Sequence, residues 1–152
     1  NEIMSWEIFR AEYKQGLENN DDMAKVIAES YDKCVKIGMS GAGTAPPAPL
    51  VAGNVSGLQT MLKVCFSSYG VVPLSTSLDT GLKLYWLGGT TAAGALVTNP
   101  GITASYIDAQ GKLNETIDDT IDQFIAAFNI YHQQVVFTIT ATPPLVSVGY
   151  IV

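Results

Sequence analysis

His132 and Ser40 are the residues that come closest to forming a catalytic set. His132 is the only histidine in the chain, and a histidine that acts as a general base needs a nucleophile and an orienting carboxylate within hydrogen-bond reach. Ser40 lies in Gly38-Met39-Ser40-Gly41-Ala42, which departs from the nucleophile elbow G-x-S-x-G at its last position and follows a helical pattern instead of a strand. We therefore interpret residues 38–43 as a flexible connector, and His132 as a charged side chain that complements a helix dipole.

Neither the acidic residues nor the cysteines have the spacing of a metal site. Asp118, Asp119 and Asp122 lie close together, but they do not follow the EF-hand pattern, and acidic residues in the first turn of a helix need no ion. Cys34 and Cys65 have no second cysteine or histidine close enough in sequence to complete a zinc-binding pattern. We expect no metal and no cofactor. We interpret the cysteines as reduced, buried thiols, although their number also permits one disulfide.

The composition limits the classes to which the protein can belong. Its 152 residues fit one domain, which can bury a core without help from a metal or disulfide. The hydrophobic fraction of 47% excludes disorder of the whole chain, and the net charge of −6 disfavours nucleic acid as the main partner. Residues 123–152 are interrupted by Pro143-Pro144 and lack the roughly 20 apolar residues of a membrane span. Residues 1–10 contain two glutamates and no apolar stretch, so we expect neither membrane insertion nor a signal peptide.

The formal charges are concentrated in three segments. Residues 1–36 hold 13 of the 22 charges, residues 108–122 hold six and residues 79–83 hold two, so Lys63 is the only charge in the other 96 residues. A domain of this size cannot bury so many residues in its own core, and a free monomer normally keeps charge spread over its surface. We therefore expect other chains to cover much of the uncharged surface, although Ser, Thr, Asn and Gly can also form a neutral surface in water.

The spacing of the apolar residues predicts about five helices. The first two are predicted to form an N-terminal helical hairpin over residues 1–37, with Ser5 as the N-cap of the first helix. The third helix is predicted to start at Asn54. The fourth and fifth are predicted to begin around two capping boxes, Thr76-Ser77-Leu78-Asp79 and Thr116-Ile117-Asp118-Asp119.

The segments between these helices are predicted to be irregular. Residues 38–53 are rich in Gly, Ala and Pro, which favours an extended, polyproline-like connector. Residues 54–131 are predicted to form a helical body that contains a loop at 88–113. Within this loop, residues 95–107 are compatible with a short hairpin and also with a loop that lies on a neighbouring chain.

The C-terminal segment, residues 132–152, is predicted to contain a β-strand and an extended interaction tail. Gln134 to Thr142 alternate with the period of a strand, and Pro143-Pro144 end it. A lone strand leaves backbone groups unpaired, so residues 95–107 pair with it or it adds to a sheet in another subunit, which the lack of charge slightly favours. The predicted fold class is mainly α in a single domain, with this strand and tail, and α+β is the alternative.

Several short motifs occur in an order that resembles a known family. Met4-Ser5-Trp6-Glu7 opens an amphipathic helix, Tyr31-Asp32 and Ile37-Gly38 close the second helix, Gly53-Asn54 opens the third, Tyr85-Trp86-Leu87-Gly88 closes the fourth, and Gly149-Tyr150 lies near the end. This order is similar to that of small structural proteins of tailed-bacteriophage particles, which are encoded among neck, tail and baseplate genes. The resemblance implies a non-enzymatic subunit present in several copies in a ring or sheath-like assembly, and it implies no catalytic residues.

We therefore predict a structural subunit of a tailed-phage virion, assembled in the host cytoplasm. Its expected partners are copies of itself and neighbouring virion proteins, with neither nucleic acid nor membrane as the main partner. One of Tyr85 and Trp86 is expected in the core and the other in an interface. The candidate interface residues are uncharged and mostly large: Trp86, Val135, Phe137, Ile139, Leu145 and Tyr150. The alternatives are a secreted adhesin or carbohydrate-binding module, which low charge and abundant Thr and Ser would suit, and a small hydrolase that uses Ser40 and His132.

Overall fold

The computed structural model places five helices and six short strands in the residues that it describes. These residues are 6–37, 39–41, 48–68, 71–86, 90–91, 96–97, 116–133, 136–141 and 145–151, with the backbone alone in the strands. The helices are α1 (Glu7–Glu18), α2 (Met23–Ile37), α3 (Val55–Ser67), α4 (Leu74–Trp86) and α5 (Ile117–His132). The strands are β1 (Met39–Gly41), β2 (Ala48–Ala52), β3 (Thr90–Thr91), β4 (Leu96–Val97), β5 (Val136–Ala141) and β6 (Leu145–Ile151). The prediction of a mainly helical protein with five helices is confirmed over this described part of the chain.

The turn between α1 and α2 is closed by backbone hydrogen bonds. Asn20 N–H donates to the Leu17 carbonyl over 3.2 Å. Asp21 N–H donates to the Gly16 carbonyl over 2.9 Å, and Asn20 has a φ of 55°. This is a Schellman motif, in which the residue after the helix cap adopts the left-handed conformation that Asn tolerates better than most residues. The motif ends α1 abruptly, and α1 and α2 then pack against each other.

Three helices begin at a residue whose side chain accepts a hydrogen bond from a backbone N–H two or three positions later. These caps are Asp22 for α2, Asn54 for α3 and Thr116 for α5, with N···O distances of 3.1, 3.0 and 3.0 Å. Such a cap satisfies one of the donors that the first helical turn leaves without an intrahelical partner. The predicted helix starts at Asn54 and Thr116 are therefore confirmed.

The start of α1 differs from the prediction. Its N-cap is Trp6, which makes no side-chain capping hydrogen bond, so the prediction of Ser5 as the N-cap is wrong. Ser5 itself lies outside the described residues. Trp6 makes tertiary contacts instead, because its indole N–H donates to Asn129 Oδ1 over 3.1 Å. The indole also stacks on Phe128 with ring centroids 5.3 Å apart, so packing against α5 takes the place of a polar cap.

The start of α4 also lies earlier than the capping-box pattern predicts. The helix begins at Leu74, and the Pro73 carbonyl accepts from Ser77 N–H over 3.3 Å. Thr76 is therefore a residue of the first turn and not a cap. Pro73 has the fixed φ that suits the entry to a helix, and the turn before it is held by Val72 N–H, which donates to Ser68 Oγ over 3.0 Å.

The core lies where the five helices meet, and it is rich in aromatic side chains. The largest side chains that are less than 2% exposed come from every helix of the described part: Phe9 of α1, Ile27 and Tyr31 of α2, Leu58 and Leu62 of α3, Leu78, Leu82, Tyr85 and Trp86 of α4, and Phe128 and Tyr131 of α5. Burying side chains of this size is the main stabilising contribution to a domain of this length. The two cysteines do not form a disulfide, which confirms the prediction of reduced thiols, and Cys34 is buried whereas Cys65 is only partly buried. Burial raises the pKa of Cys34 to about 11.

The six strands form a closed antiparallel barrel in chain order, with β6 paired to both β5 and β1. Helices α3 and α4 lie between β2 and β3 in sequence, and α5 lies between β4 and β5. Residues 38–53, for which the sequence indicated a connector, include β1 and β2. In this arrangement β5 pairs with β4 and β6 of its own chain, where the sequence favoured addition to another subunit. Closure gives every described strand a neighbour on both sides.

Candidate functional site

A buried network of polar side chains joins α2, α4 and α5 within the aromatic core. The Tyr31 hydroxyl lies 2.6 Å from His132 Nε2, and Trp86 Nε1–H donates to the same hydroxyl over 2.9 Å. Tyr31, Trp86 and His132 are 0%, 1% and 5% exposed. Residues at the middle of α2 and at the last positions of α4 and α5 are thus brought to one point, which fixes how the three helices pack.

The hydrogen-bond directions in this network follow from the chemistry of the donors. An indole N–H can only donate, so the Tyr31 oxygen accepts from Trp86. The Tyr31 proton has His132 Nε2 as its partner when the neutral ring carries its proton on Nδ1, whereas in the other tautomer Nε2–H donates to the Tyr31 oxygen. Burial lowers the pKa of His132 to about 3 and raises the pKa of Tyr31 well above its ordinary value. The interpretation of His132 as a charged residue at a helix end is therefore wrong, because the surroundings of the ring favour its neutral form.

Two further polar side chains, Tyr85 and Asp32, lie next to the network of Tyr31, Trp86 and His132. The Tyr85 hydroxyl donates to Asp32 Oδ1 over 2.7 Å, and Lys36 Nζ lies 2.7 Å from Asp32 Oδ2. Asp32 is 8% exposed and Tyr85 is fully buried. Burial, with smaller contributions from Tyr31 and Asp32, raises the pKa of Tyr85, so its phenol remains a donor. Each oxygen of the Asp32 carboxylate therefore has a partner, as a nearly buried charge requires.

The network is closed to substrates in this conformation. The Tyr31 hydroxyl and His132 Nε2 already satisfy each other, and both side chains are nine-tenths or more buried. Ser40, the proposed nucleophile partner of His132, is a β1 residue whose backbone pairs with Ala48 and Ile151. The hydrolase hypothesis needs a histidine that is available as a base, whereas His132 Nε2 lies 2.6 Å from the Tyr31 hydroxyl inside the core.

The carboxylates at the start of α5 bind cations that the chain itself supplies. Asp122 Oδ1 lies 2.6 Å from Arg10 Nη2, and Asp118 Oδ1 lies 2.8 Å from Lys14 Nζ. The Lys14 ammonium, with a smaller contribution from Arg10, holds the pKa of Asp118 below its ordinary value. These ion pairs connect α1 to α5 at exposed positions. In the residues that the structure describes, no three His, Cys, Asp or Glu side chains are placed to hold a metal ion together.

A groove of about 460 Å³ lies beside the α1–α2 turn, and its lining is mostly polar. Glu12, Asp22, Lys25 and Glu29 contribute to its walls. Lys25 Nζ lies 3.8 Å from Glu29 Oε1, and Glu12 is paired with Lys33 over 2.8 Å. The charged groups of the groove are therefore partly neutralised by neighbours on the same two helices.

The β5–β6 ribbon is uncharged and mainly apolar on both faces. Directly paired residues of antiparallel strands share a face. One face carries Phe137, Ile139, Ala141, Leu145, Ser147 and Gly149, and the other carries Val136, Thr138, Thr140, Val146, Val148 and Tyr150. Only one face of a strand in a barrel can point to the interior. Neither face of the described β5–β6 ribbon carries a charged residue.

The six candidate interface residues do not lie together in the structure. Trp86 lies in the core with Tyr85, so the expectation that one of these two aromatics faces another chain is corrected. Val135 lies outside the described residues. Phe137, Ile139 and Leu145 share one face of the β5–β6 ribbon, whereas Tyr150 lies on the opposite face.

Sequence reasoning missed the roles of Tyr31, Asp32 and Asn129 in these hydrogen bonds. The sequence motifs place Tyr31 only near the end of the second helix, and its partner His132 lies 101 positions away. Polar atoms on otherwise apolar helix faces, such as the Tyr31 hydroxyl, are the signal that a buried partner is needed. The sequence does not identify which residue is that partner.

Over the described residues, no helix combines the length and the apolar character that crossing a membrane requires. The chain matches no protein-family model, no curated protein and no solved structure. The function is therefore inferred from the sequence and the structure of the chain itself.

Proposed function

We propose that this chain is a non-enzymatic structural subunit of a tailed-phage virion, at the neck, tail or baseplate. It assembles through its uncharged loops and its C-terminal strands. The observation that supports this proposal is the separation of charge from the strands. None of the residues in the six described strands is charged, whereas 21 of the 22 formal charges lie in residues 1–36, 79–83 and 108–122.

The helical body supplies the solvated part of such a subunit. Its ion pairs lie at the surface, as in the pair between Arg10 and Asp122, whose side chains are 37% and 57% exposed. Exposed pairs of this kind contribute little stability, but they keep a protein soluble and discourage unspecific contact. The described strands of the barrel contain no charged residue. The outer surface of the barrel is therefore the part of the molecule for which burial in an assembly is most favourable.

The proposed interface uses Phe137, Ile139 and Leu145 on one face of the β5–β6 ribbon or Tyr150 on the other, according to which face lies outside the barrel. Val135 remains a candidate that lies outside the described residues, and Trp86 is left out because the core already buries it. Covering apolar surface stabilises an assembly by about 25 cal/mol per Å², less the entropy lost when the partners and their loops are ordered. The partners are copies of this chain and neighbouring virion proteins, and the place of action is the virion, assembled in the host cytoplasm.

The first experiment is to measure the mass of the purified chain by light scattering at several concentrations. We expect a ring, a polymer, or an insoluble chain that dissolves when a neighbouring virion protein is co-expressed. A stable monomer over the whole range would contradict the proposal. Saturable binding of that monomer on a glycan array would then support the secreted adhesin or carbohydrate-binding module.

Charge substitutions test whether the barrel surface is the interface. Thr138→Glu and Ser147→Glu each place a charge on one of the two faces of the β5–β6 ribbon, so one of them lies on the outside. The matched control is Thr60→Glu on the exposed side of α3. We expect the outer strand variant to reduce assembly at least tenfold while its helical circular dichroism is unchanged, and we expect the control to assemble normally. Equal assembly of all three variants would argue against a barrel interface.

Removal of residues 143–152 is a coarser test of the same proposal. This deletion removes β6 (Leu145–Ile151) and leaves the residues of all five described helices in the chain. We expect the helices to remain folded and incorporation into particles to fall. Unchanged incorporation of the truncated chain into particles would contradict the proposal.

A further inference from the structure

A chain of aromatic rings leads from the surface of the helical body into its core. Trp6 is only partly buried, whereas Tyr31 and Trp86 are 0% and 1% exposed. The rings of Trp6 and Tyr31 are stacked with their centroids 6.0 Å apart, which is within the usual range for interacting aromatic side chains. Indole and phenol groups are among the most easily oxidised side chains, and rings in contact exchange electrons readily. Trp6 is therefore the point at which an oxidant in solution can draw an electron from the core.

The Tyr31 phenol also lies beside a group that can take its proton. Its hydroxyl is 2.6 Å from His132 Nε2, and the His132 ring is itself stacked on Trp6 with centroids 5.6 Å apart. Loss of an electron turns a phenol into a strong acid, so oxidation of a buried tyrosine requires a base within hydrogen-bond distance. A neutral imidazole that carries its proton on Nδ1 offers such a base at Nε2.

We propose that Trp6, Tyr31 and His132 form an oxidation relay, which takes up one oxidising equivalent from solution and holds it as a Tyr31 radical. A radical oxidant, such as the carbonate radical, takes one electron from the Trp6 indole and is reduced to its anion. One electron then passes from Tyr31 to Trp6 while the phenol proton moves to His132 Nε2. The products are a neutral phenoxyl radical and an imidazolium ion.

The relay is reset by a reductant in solution. A thiolate gives one electron to the core through Trp6 and becomes a thiyl radical, and the proton returns from His132 to the Tyr31 oxygen. Between these two events the unpaired electron is held on a side chain that is fully buried. The inference concerns the helical body alone and does not depend on the proposed assembly.

Tyr85 is the other phenol in this part of the core and provides the matched control. It is as buried as Tyr31, and the two rings lie 5.1 Å apart. The Tyr85 hydroxyl donates to Asp32 over 2.7 Å, whereas Tyr31 is the phenol that stacks on Trp6. The relay therefore predicts that the radical forms on Tyr31.

Flash photolysis of the full chain tests this inference. The probe is ruthenium(III) tris-bipyridine, generated by a laser flash in the presence of an electron acceptor. We expect a tryptophan radical that decays as a long-lived phenoxyl radical appears, followed by transient absorption and by electron paramagnetic resonance. The phenoxyl signal should be lost in Tyr31→Phe and retained in Tyr85→Phe. The same signal in wild type and Tyr31→Phe would overturn the relay.

Two further variants decide the question if Tyr31→Phe fails to fold. His132→Gln keeps a hydrogen-bond partner for the Tyr31 hydroxyl but has no basic nitrogen, so the long-lived phenoxyl signal should be lost while the core stays packed. Trp6→Phe keeps an aromatic ring but removes the indole, so the phenoxyl radical should form more slowly. Wild-type yields and rates of phenoxyl formation in both variants would overturn the relay.

The tautomer of His132 provides a test that needs no variant. His132 is the only histidine in the chain, so the ring-nitrogen NMR shifts of the labelled protein report on this residue alone. We expect a proton on Nδ1 and none on Nε2, because the relay needs a proton acceptor next to Tyr31. A proton on Nε2 would contradict the proposed proton transfer.

Discussion

The Tyr31 hydroxyl lies 2.6 Å from His132 Nε2, although the two residues lie 101 positions apart in the sequence. The same hydroxyl accepts from Trp86 over 2.9 Å, so one oxygen ties α2 to α4 and α5. Hydrogen bonds in a dry core are costly to leave unmade and contribute to a single, specific packing of the helices. The most conspicuous polar cluster of the described residues therefore serves the fold, and the assembly surface is expected elsewhere.

Replacement of Tyr31 by phenylalanine should destabilise the helical body. Tyr31→Phe removes the hydroxyl that Trp86 N–H and His132 Nε2 contact in the core, and the loss of a buried hydrogen bond of this kind costs about 1–3 kcal/mol. We expect the free energy of unfolding in urea to fall by about 2–4 kcal/mol. Tyr13→Phe is the control, since Tyr13 is only partly buried, and it should cost about 1 kcal/mol or less. Equal losses for the two variants would contradict the assigned role of the Tyr31 hydroxyl.

The stability of the protein should depend on pH through His132. Its pKa is about 3 in the folded chain because of burial, whereas an unfolded histidine has a pKa of about 6.5. The unfolded chain therefore binds the proton more readily, so stability is fully present above pH 6.5 and falls as the pH drops towards 3. The contribution lost over this window is on the order of 4 kcal/mol.

The matched variant for the pH experiment is His132→Gln, which keeps a neutral hydrogen-bond acceptor at the position and cannot titrate in this range. Unfolding free energies of both proteins at pH 7, 5 and 4 separate the histidine from the carboxylates, which titrate equally in the two. We expect the variant to lose stability less steeply below pH 6.5. Parallel pH profiles would mean that His132 is not buried in its neutral form.

Position 53 must be glycine because the ring of Tyr85 occupies the space that a side chain would need. A Cβ atom added at Gly53 would overlap the Tyr85 ring. The next residue, Asn54, donates its backbone N–H to the Tyr85 carbonyl over 3.0 Å, so the backbone at residue 53 and the Tyr85 ring cannot easily move apart. We expect Gly53→Ala to lower the free energy of unfolding by about 1–3 kcal/mol, the usual cost of overpacking.

Gly16→Ala is the control for this substitution. The Cβ atom would meet the methyl groups of Val26 at 3.0 and 3.1 Å, which can shift, and alanine in a helix is favoured over glycine by about 1 kcal/mol. We expect a neutral or stabilising effect in thermal unfolding. If Gly53→Ala were as harmless as Gly16→Ala, the packing of Tyr85 on residue 53 would be refuted.

Two threonines test which capping pattern starts a helix. Thr116 Oγ1 accepts from Asp119 N–H over 3.0 Å, whereas Thr76 is an exposed residue inside the first turn of α4. Thr116→Ala should cost about 1 kcal/mol, and Thr76→Ala should change stability by about 0.5 kcal/mol or less. A larger loss at Thr76 in urea unfolding would restore the capping box that the sequence suggested.

Local patterns predicted the helices well because each depends on residues a few positions apart. The caps at Asn54 and Thr116 and the apolar faces of α2 and α5 follow from side chains within one or two turns. Ser5 and Thr76 failed as caps for the opposite reason. Trp6 is positioned by Asn129 and α4 is entered through Pro73, and neither tertiary packing nor the preceding turn is encoded in a four-residue motif.

The sequence by itself determined that the chain is a mainly helical domain with five helices and that all but one of its charges lie in residues 1–36, 79–83 and 108–122, since composition and helical period are properties of near neighbours. Only the tertiary structure decided that Trp86 is buried, that His132 is neutral and bonded to Tyr31, and that the described strands pair in the order β1 to β6. These features depend on which distant segments meet, because burial and hydrogen bonding are decided by the whole packed core and by strand register, and no local pattern contains that information.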